Sequence, residues 1–247
     1  IMHINEFHRK ATFENILNQN WQERFKQNLL SKVKQNSAQS YFSKFKCAVN
    51  QAYDRGKIHR IVLVKGIPNE EVKMEYLTFE EIIALKDTKC DNLTLKGAFL
   101  FSCLTGLRFS DVSRFTWREV SFKNGRHYID FRQLKTNYLQ DIPIPQDALS
   151  LMGDRLQNDI KVFGGLKYSS NMSYQLQRWM LDANITKKIT FHCSRHTYAY
   201  LSLSNGVDLF TLSKMLGHKN IKTTMCYAKF DQTMQHKAVD ALPNFGF

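Results

Sequence analysis

The sequence contains no apolar run of the ~18 to 20 residues that a membrane-spanning helix needs. It also shows no charged-then-apolar leader followed by a small-residue cleavage site. These two absences favour a protein of the cytoplasm over a membrane or secreted protein.

Cysteine pairs are absent as well. The five cysteines are an odd number and none forms a CxxC pair, which argues against a disulfide framework and against a thiolate zinc site. We expect reduced and mostly buried thiols. HExxH, P-loop and EF-hand patterns are also missing, so no motif indicates a bound metal or nucleotide.

Acidic residues are scarce relative to basic ones. Aspartate and glutamate number 22 against 35 lysines and arginines, which gives a formal net charge of +13. Lysine and arginine side chains in such excess repel one another unless a polyanion neutralises their charge. Nucleic acid is the commonest polyanionic partner. Ribosomal proteins, membrane-surface proteins and merely soluble basic proteins share this composition, so charge alone leaves these classes open.

The first third of the chain has the period of amphipathic helices. The apolar stripe of a first helix is Leu17, Trp21, Phe25, Leu29 and Val33. For a second helix we predict Ser37 as N-cap and Gly56 at its end. The apolar face of this second helix is predicted to be Tyr41, Phe42, Phe45, Ala48, Val49 and Ala52.

A linker separates this helical part from the rest. Gly66 and Pro68 interrupt regular structure and a polar, charged run follows them. We therefore predict domains over 1–72 and 73–247. The first carries 12 lysines and arginines against 6 acidic residues, and the second carries 23 against 16, so both are basic and a polyanion could contact both.

Beyond the linker the sequence predicts further helices. Thr78 and Glu81 have the spacing of a capping box, which favours a helix over about 78–86. Another helix is predicted over about 94–104, followed by a turn at Gly106 and a further helix.

The period then changes from helical to two. Residues 126–145 alternate apolar and polar side chains, with a polar break around Lys135 to Asn137, which is typical of a β-hairpin or small sheet. Pro143 and Pro145 indicate an edge strand, because proline cannot donate to a sheet ladder. The predicted fold class is mainly α with a small antiparallel β-sheet.

The last third holds residues that are typical of catalytic sites. His192 and Arg195 are three apart near a predicted helix start. A helix over 208–216 ends at Gly217 and leaves His218 at a turn, where side chains often face ligands. Asn220 is expected to cap a short helix, and that helix carries Tyr227.

Taken in order, these pieces resemble the tyrosine recombinases, also called phage integrases. The matching pieces are TGLR at Thr105 to Arg108, the hairpin lysine Lys135, HCSRHT at His192 to Thr197, LGH at Leu216 to His218, and Tyr227 nine residues after His218. The N-terminal helices are similar to the core-binding, SAM-like DNA-binding domain of that family. The overall style is closest to integrases of bacterial mobile elements.

The resemblance implies that Arg108 and Arg195 hold the phosphodiester. Two guanidinium groups can offset its charge and grip both non-bridging oxygens through paired donors, which lysine does not do in that geometry. Asp111 lies three residues after Arg108 in the predicted helix. It either orients that guanidinium or is an ordinary surface charge.

Four more roles follow from the resemblance. Tyr227 is the nucleophile, although a phenol with a pKa of ~10 is rarely ionised at neutral pH. His192 and His218 donate hydrogen bonds to phosphate oxygens, and His192 is also a candidate acceptor for the tyrosine proton. Lys135 protonates the leaving 5′-oxygen as general acid.

Such a reaction leaves a 3′-phosphotyrosyl link and needs neither metal nor ATP. The implied partner is double-stranded DNA with specific recombination sites, held by a tetramer with possible accessory DNA-bending proteins. Candidate DNA contacts in the first domain are Lys32, Lys34, Lys44, Lys46, Arg55, Lys57 and Arg60. An amphipathic tail helix is predicted at Met234, Ala238, Ala241 and Leu242. It packs either on a neighbouring protomer or on its own domain.

Two other functions stay open on the sequence. A type IB topoisomerase uses similar chemistry to relax DNA as a monomer. A DNA-binding protein without catalysis would keep the basic surface, although all six family positions are filled here. The helical N-terminal domain and the tail favour recombination.

Overall fold

A computed structural model of the chain describes residues 2–61, 63–134 and 139–230, with side chains described as far as residue 228. Lys135 and the predicted tail helix lie outside these ranges. The chain divides into two compact units, Ile1–Lys73 and Met74–Phe247. The described parts are mainly α-helical with one three-stranded antiparallel sheet, which confirms the predicted fold class.

The described residues of the first unit form four helices. They are α1 (Met2–Phe7), α2 (Phe13–Leu17), α3 (Gln19–Lys32) and α4 (Gln35–Asp54). Their core is built around stacked and tilted aromatic rings from Trp21, Phe25, Phe42 and Phe45, with Leu29 and Val49 beside them. Aromatic side chains remove the largest apolar areas from water, so these rings dominate the stability of this small unit.

The predicted apolar faces are mostly correct. On α4, Phe42, Phe45 and Val49 are buried, as predicted. Tyr41 and Ala48, however, are exposed. The buried face is centred on Phe42 and the residues three and seven positions after it, so Tyr41 and Ala48 lie at its edge.

The predicted start of α4 is wrong. Ser37 lies inside the first turn, and Lys34 occupies the N-cap position without a side-chain hydrogen bond. The side chain of Asn36 exchanges two hydrogen bonds of 2.8 Å with the backbone of Glu70, which holds the earlier start in place. The predicted end is correct: Gly56 has φ of +65° and follows the helix as a left-handed cap residue.

The second unit contains seven α-helices and the sheet within its described residues. The helices are α5 (Phe79–Asp87), α6 (Leu93–Thr105), α7 (Phe109–Val112), α8 (Gln146–Ser150), α9 (Ser170–Asp182), α10 (Cys193–Ser204) and α11 (Leu209–Met215). The strands are β1 (Val120–Lys123), β2 (Arg126–Arg132) and β3 (Leu139–Pro143), and 3-10 helices span Trp117–Glu119, Ile221–Thr223 and Met225–Phe230.

The capping box before α5 is confirmed. The Thr78 hydroxyl accepts from the Glu81 N–H at 3.3 Å, and a Glu81 carboxylate oxygen accepts from the Thr78 N–H at 2.7 Å. Two N–H groups that the helix itself cannot pair are thereby satisfied.

The sheet has the order β1-β2-β3, with β3 at an edge as predicted from Pro143. The strand β1 was not predicted, because it is only four residues long. It joins β2 through Asn124 and Gly125, whose φ values of +49° and +76° suit a tight hairpin turn.

The core of the second unit is arranged around α6. Most of this helix is buried, including Leu95, Phe99 and Phe101, and it packs along α10. Within the described ranges, no helix combines the length and the apolar character needed to cross a membrane.

Candidate active site

The first arginine of the candidate site follows the end of α6. This helix stops at Gly106, whose φ is +69°. A Cβ atom at this position would lie 2.5 Å from the Tyr198 ring and 3.1 Å from Leu216, so only glycine fits without a shift. The chain then turns and brings Arg108 to the N-cap position of α7.

The second arginine, Arg195, lies on α10 and is 3% exposed. The Ser102 and Ser194 hydroxyls, 2.6 Å apart, join α6 to α10 just before it. Its guanidinium donates to the main-chain oxygens of Gly106 at 2.6 Å and Leu216 at 2.5 Å. Arg195 therefore connects the TGLR and LGH segments.

The two arginines form one concentrated positive site. Burial, and next the neighbouring charge of Arg108, lower the pKa of Arg195 to about 9. Burial also lowers the pKa of Arg108, against the attraction of Asp111. Arginine side chains keep their proton in proteins at neutral pH. A site with two adjacent guanidinium groups has the donors that a tetrahedral oxyanion needs.

Gln133 holds Arg108 and was not identified from the sequence. It is 1% exposed, and its Oε1 accepts a hydrogen bond from Arg108. Its Nε2 donates to the Leu216 carbonyl at 3.2 Å and to the side chain of Gln140. Gln140 in turn donates to the Met215 carbonyl at 2.9 Å. The two glutamines thus attach the sheet to the end of α11.

Asp111 has a different role from either predicted one. It is 2% exposed and thus no surface charge. Its Oδ1 accepts from the Leu134 N–H at 3.0 Å, and Arg114 is its ion-pair partner at 3.8 Å. The direct partner of the Arg108 guanidinium is Gln133 instead. In the structure Asp111 thus contacts the backbone of Leu134, and its charge acts on Arg108.

His218 lies beside Arg195. Its Nε2 is 3.0 Å from an Arg195 nitrogen, and its Nδ1 is 2.8 Å from the Thr224 hydroxyl. A guanidinium can only donate, so Nε2 accepts and the proton of the neutral ring lies on Nδ1. Burial and then the charges of Arg195 and Arg108 lower the pKa of His218 to about 4.

Tyr227 lies in the same site, on the 3-10 helix Met225–Phe230. The single short helix predicted after Asn220 is divided into two 3-10 helices, and Asn220 caps the first of them. It is 3% exposed. Burial raises the pKa of Tyr227 to about 12, although the positive charges of Arg195 and Arg108 oppose the rise. The phenol is therefore protonated at neutral pH. It is close enough to both arginines for their charges to lower its pKa.

The hydroxyl of Tyr227 lies 2.9 Å from Nδ1 of His196, a residue that the sequence analysis missed. His192, the predicted proton acceptor, is an exposed residue at the start of α10, with its ring centroid 4.8 Å from that of His196. The signal was present in HCSRHT: His196 is four residues after His192, one helical turn further along the same face.

The other predicted residues lie elsewhere or outside the described ranges. The position of Lys135 is not described. In the first unit, Lys32 forms an ion pair of 3.3 Å with Glu6, and Lys46 is half-buried. The remaining candidate DNA contacts are all exposed: Lys34, Lys44, Arg55, Lys57 and Arg60.

Both units of the chain match families of known proteins. Residues 74–234 match the Phage integrase family, and residues 1–64 match the Phage integrase SAM-like domain. A tyrosine recombinase XerC-like protein of Caldanaerobacter subterraneus is 28% identical over 206 residues, which cover 66% of this chain and 52% of that protein. Tyrosine recombinase XerC of Chlamydia trachomatis is 24% identical over 223 residues, or 83% of this chain and 68% of that protein. The chain therefore spans about half the length of the first of these relatives.

Solved structures share the fold. The site-specific recombinase XerH, bound to palindromic difH substrate, superposes with a TM-score of 0.73 at 15% identity, covering 97% of this chain and 77% of that one. A lambda integrase fragment bound to a COC′ core site gives 0.70 at 19% identity, covering 94% and 86%. The family match spans most of the chain, and the arginines, His218 and Tyr227 lie within the matched residues. The chain belongs to the phage integrase family of tyrosine recombinases.

Proposed function

We propose that the chain is a site-specific DNA recombinase that cuts and rejoins strands through Tyr227. The observation that carries this proposal is the convergence of Arg108, Arg195 and Tyr227. Both guanidinium charges act on the tyrosine hydroxyl, although the three residues come from separate segments of the second unit. A buried pair of like charges is unfavourable on its own and is offset when an anion binds between them.

In this proposal the scissile phosphate binds to the two arginines. Their charge offsets the non-bridging oxygens, which otherwise repel a nucleophile. Arg195 is already oriented by the main-chain oxygens of Gly106 and Leu216, and Arg108 is oriented by Gln133. Preorganised donors of this kind stabilise charge in the transition state without reorganising during the reaction.

The phenolic oxygen of Tyr227 then attacks phosphorus. The new P–O bond replaces the bond to the 5′-oxygen, which leaves as a hydroxyl after taking a proton from Lys135. His192 and His218 donate hydrogen bonds to the phosphate. For His218 this requires a proton on Nε2, which the negative charge of the phosphate favours. The 3′-phosphotyrosyl link keeps the bond energy, so another 5′-hydroxyl can reverse the step without metal or ATP.

We further propose that the first unit is the core-binding domain and contacts duplex DNA through its exposed cations. Its match to the SAM-like domain and the DNA bound in the XerH and lambda integrase structures support this. Assembly into a tetramer, with the tail on a neighbouring protomer, and accessory bending proteins belong to the same proposal. So does a role in integration or excision of a mobile element in the cytoplasm of a bacterial cell.

Sequencing of the DNA trapped covalently on the protein tests this function. The wild-type chain is expressed in cells, denatured and purified, and the attached strands are sequenced. One recurring site is expected, with the protein on its 3′-phosphate. Two duplexes carrying that site should then exchange strands. Relaxation of any supercoiled plasmid without exchange would indicate a topoisomerase, and no covalent DNA would leave only a DNA-binding protein.

A further inference from the structure

The hydrogen bond between Tyr227 and His196 is the starting point. The phenolic oxygen lies 2.9 Å from Nδ1, and the two ring centroids are 5.6 Å apart. Both side chains belong to well-packed segments, since His196 follows the buried Arg195 on α10 and Tyr227 is almost wholly buried. The contact is therefore a built part of the site rather than a chance meeting of surface residues.

The protonation states give this hydrogen bond a direction. Burial, followed by the effects of His192 and Arg195, lowers the pKa of His196 to about 4, so the ring is neutral at pH 7. The pKa of Tyr227 is about 12, so the shared proton rests on the phenol. The hydroxyl therefore donates and Nδ1 accepts, which leaves the ring proton on Nε2.

Attack on phosphorus changes which of the two side chains holds the shared proton. Only about one phenol in 100,000 is ionised at pH 7 when its pKa is about 12, so reaction through free phenolate is slow. As the P–O bond forms, the phenolic oxygen loses electron density and its proton becomes strongly acidic. A bound phosphate also offsets the Arg195 charge, one cause of the low basicity of His196. A neutral imidazole at hydrogen-bond distance can then accept the proton.

We infer that His196 is the general base of the proposed cleavage reaction and takes the Tyr227 proton at Nδ1. This inference rests on the proposed function. The P–O bond to Tyr227 forms, the bond to the 5′-oxygen breaks, and the phenolic proton moves to His196. In the rejoining step the imidazolium returns this proton to the departing phenol, so His196 is unchanged over the cycle. His192 then keeps only its contact with the phosphate.

The test measures single-turnover formation of the covalent adduct on a suicide duplex. In His196→Asn, the amide oxygen still accepts a hydrogen bond but cannot take the proton. We expect the rate to fall about 10²- to 10⁴-fold. Replacing Tyr227 with a fluorinated tyrosine of lower pKa should raise the rate of adduct formation in this variant at least about tenfold. A more acidic phenol loses its proton more readily and depends less on a general base. His192→Asn is the matched control, and fluorination should not restore its rate.

Three results would overturn the inference: a rate in His196→Asn close to that of the parent, a loss that fluorination does not restore, or rescue of His192→Asn instead. Adduct formation by the parent and none by Tyr227→Phe establishes the proposed function independently. If the parent itself forms no adduct, the proposed function has failed rather than the role of His196.

A second measurement needs no histidine variant and covers the case in which His196→Asn does not fold. The parent cleaves a duplex with a 5′-thio leaving group in H₂O and in D₂O. A thiolate leaves without protonation, so any isotope effect belongs to the phenolic proton and not to the general acid. Slower cleavage in D₂O is expected. Equal rates would overturn transfer of that proton during attack.

Discussion

At the level of single residues, Gln133 is the side chain through which the sheet controls Arg108. We expect Gln133→Leu to lower the free energy of unfolding by about 1 to 3 kcal/mol, because the buried Oε1 of Gln140 then loses the hydrogen bond that Gln133 donates to it. Adduct formation should fall about 10- to 100-fold, because the released guanidinium no longer meets the phosphate in a fixed position. Urea unfolding and single-turnover cleavage measure the two effects.

The exposed Gln157 is the control for this substitution. Gln157→Leu adds the same apolar side chain to the same unit and should change neither quantity. If Gln133→Leu cleaved DNA at the parental rate, the orientation of Arg108 would not depend on Gln133.

Two half-buried neutral histidines predict how stability depends on pH. The pKa of His196 and that of His218 are both lowered from 6.5 to about 4. Between these values the unfolded chain binds more protons than the folded one, so the stabilisation present above pH 6.5 is lost as pH falls towards 4. Urea unfolding at a series of pH values should show this decline.

The double variant His196→Asn with His218→Asn isolates that contribution. Its unfolding free energy should depend less on pH between 6.5 and 4 than that of the parent. The exposed His59 provides the control His59→Asn, which should follow the parental curve. Parallel curves for the double variant and the parent would mean that neither histidine is held neutral by the fold.

Sequence reasoning reached the residues of the site that carry a family motif and missed those that support them. Arg108, Arg195 and Tyr227 stand in recognisable segments. Gln133 lies in no such segment, and His196, although it lies in HCSRHT, is not one of the positions that the motif singles out. Their partners are 25 and 31 residues away along the chain. A glutamine just after a strand has no local signature. The spacing of His196 from His192 is visible in the sequence, but only the fold shows that His196 meets Tyr227.

At the level of helices and strands, the end of α6 decides where Arg108 lies. Gly106→Ala should destabilise the chain by about 1 to 2 kcal/mol through its left-handed backbone. Overlap with the rigid Tyr198 ring should add about 1 to 3 kcal/mol. Gly125→Ala is the matched control, because Gly125 has φ of +76° but no atom within 4 Å of the added Cβ.

Denaturant unfolding of both variants separates strain from overlap. Gly106→Ala should be clearly the less stable of the two. Equal losses of stability would show that the Tyr198 ring moves aside freely, and that the close approach of α6 and α10 does not fix the site.

Elements were predictable where their signals are local. The capping box of Thr78 and Glu81 lies within four residues and was predicted correctly. The start of α4 was not, because the backbone of Glu70 holds Asn36 from a distant part of the chain. Propensity placed a cap at Ser37, and a tertiary contact overrode it.

For the molecule as a whole, the charge of +13 predicts binding that weakens steeply with salt. If six to ten phosphates are contacted, affinity for the duplex should fall ~10³- to 10⁵-fold between about 50 and 200 mM salt. Fluorescence anisotropy with a labelled duplex measures this. An affinity that does not change with salt would exclude binding that is dominated by contacts with the DNA backbone.

The same titration tests the first unit. Lys44→Gln with Lys57→Gln should reduce the slope of log affinity against log salt by about 0.9 for each phosphate that the variant no longer neutralises. Lys89→Gln with Lys167→Gln, two exposed lysines of the second unit, is the control and should leave the slope unchanged. An equal reduction of the slope in both double variants would mean that the cations of the first unit contribute no more to DNA binding than those of the second.

The proposed mechanism depends on one phenolic oxygen, buried beside two arginines, that forms a covalent bond with DNA. Mass spectrometry of the protease-digested adduct tests this bond directly, because it identifies the amino acid that carries the nucleotide. We expect a single modified peptide with the nucleotide on Tyr227, and no adduct from Tyr227→Phe although that variant still binds the duplex. A nucleotide on any other residue, or an adduct from Tyr227→Phe, would contradict the mechanism.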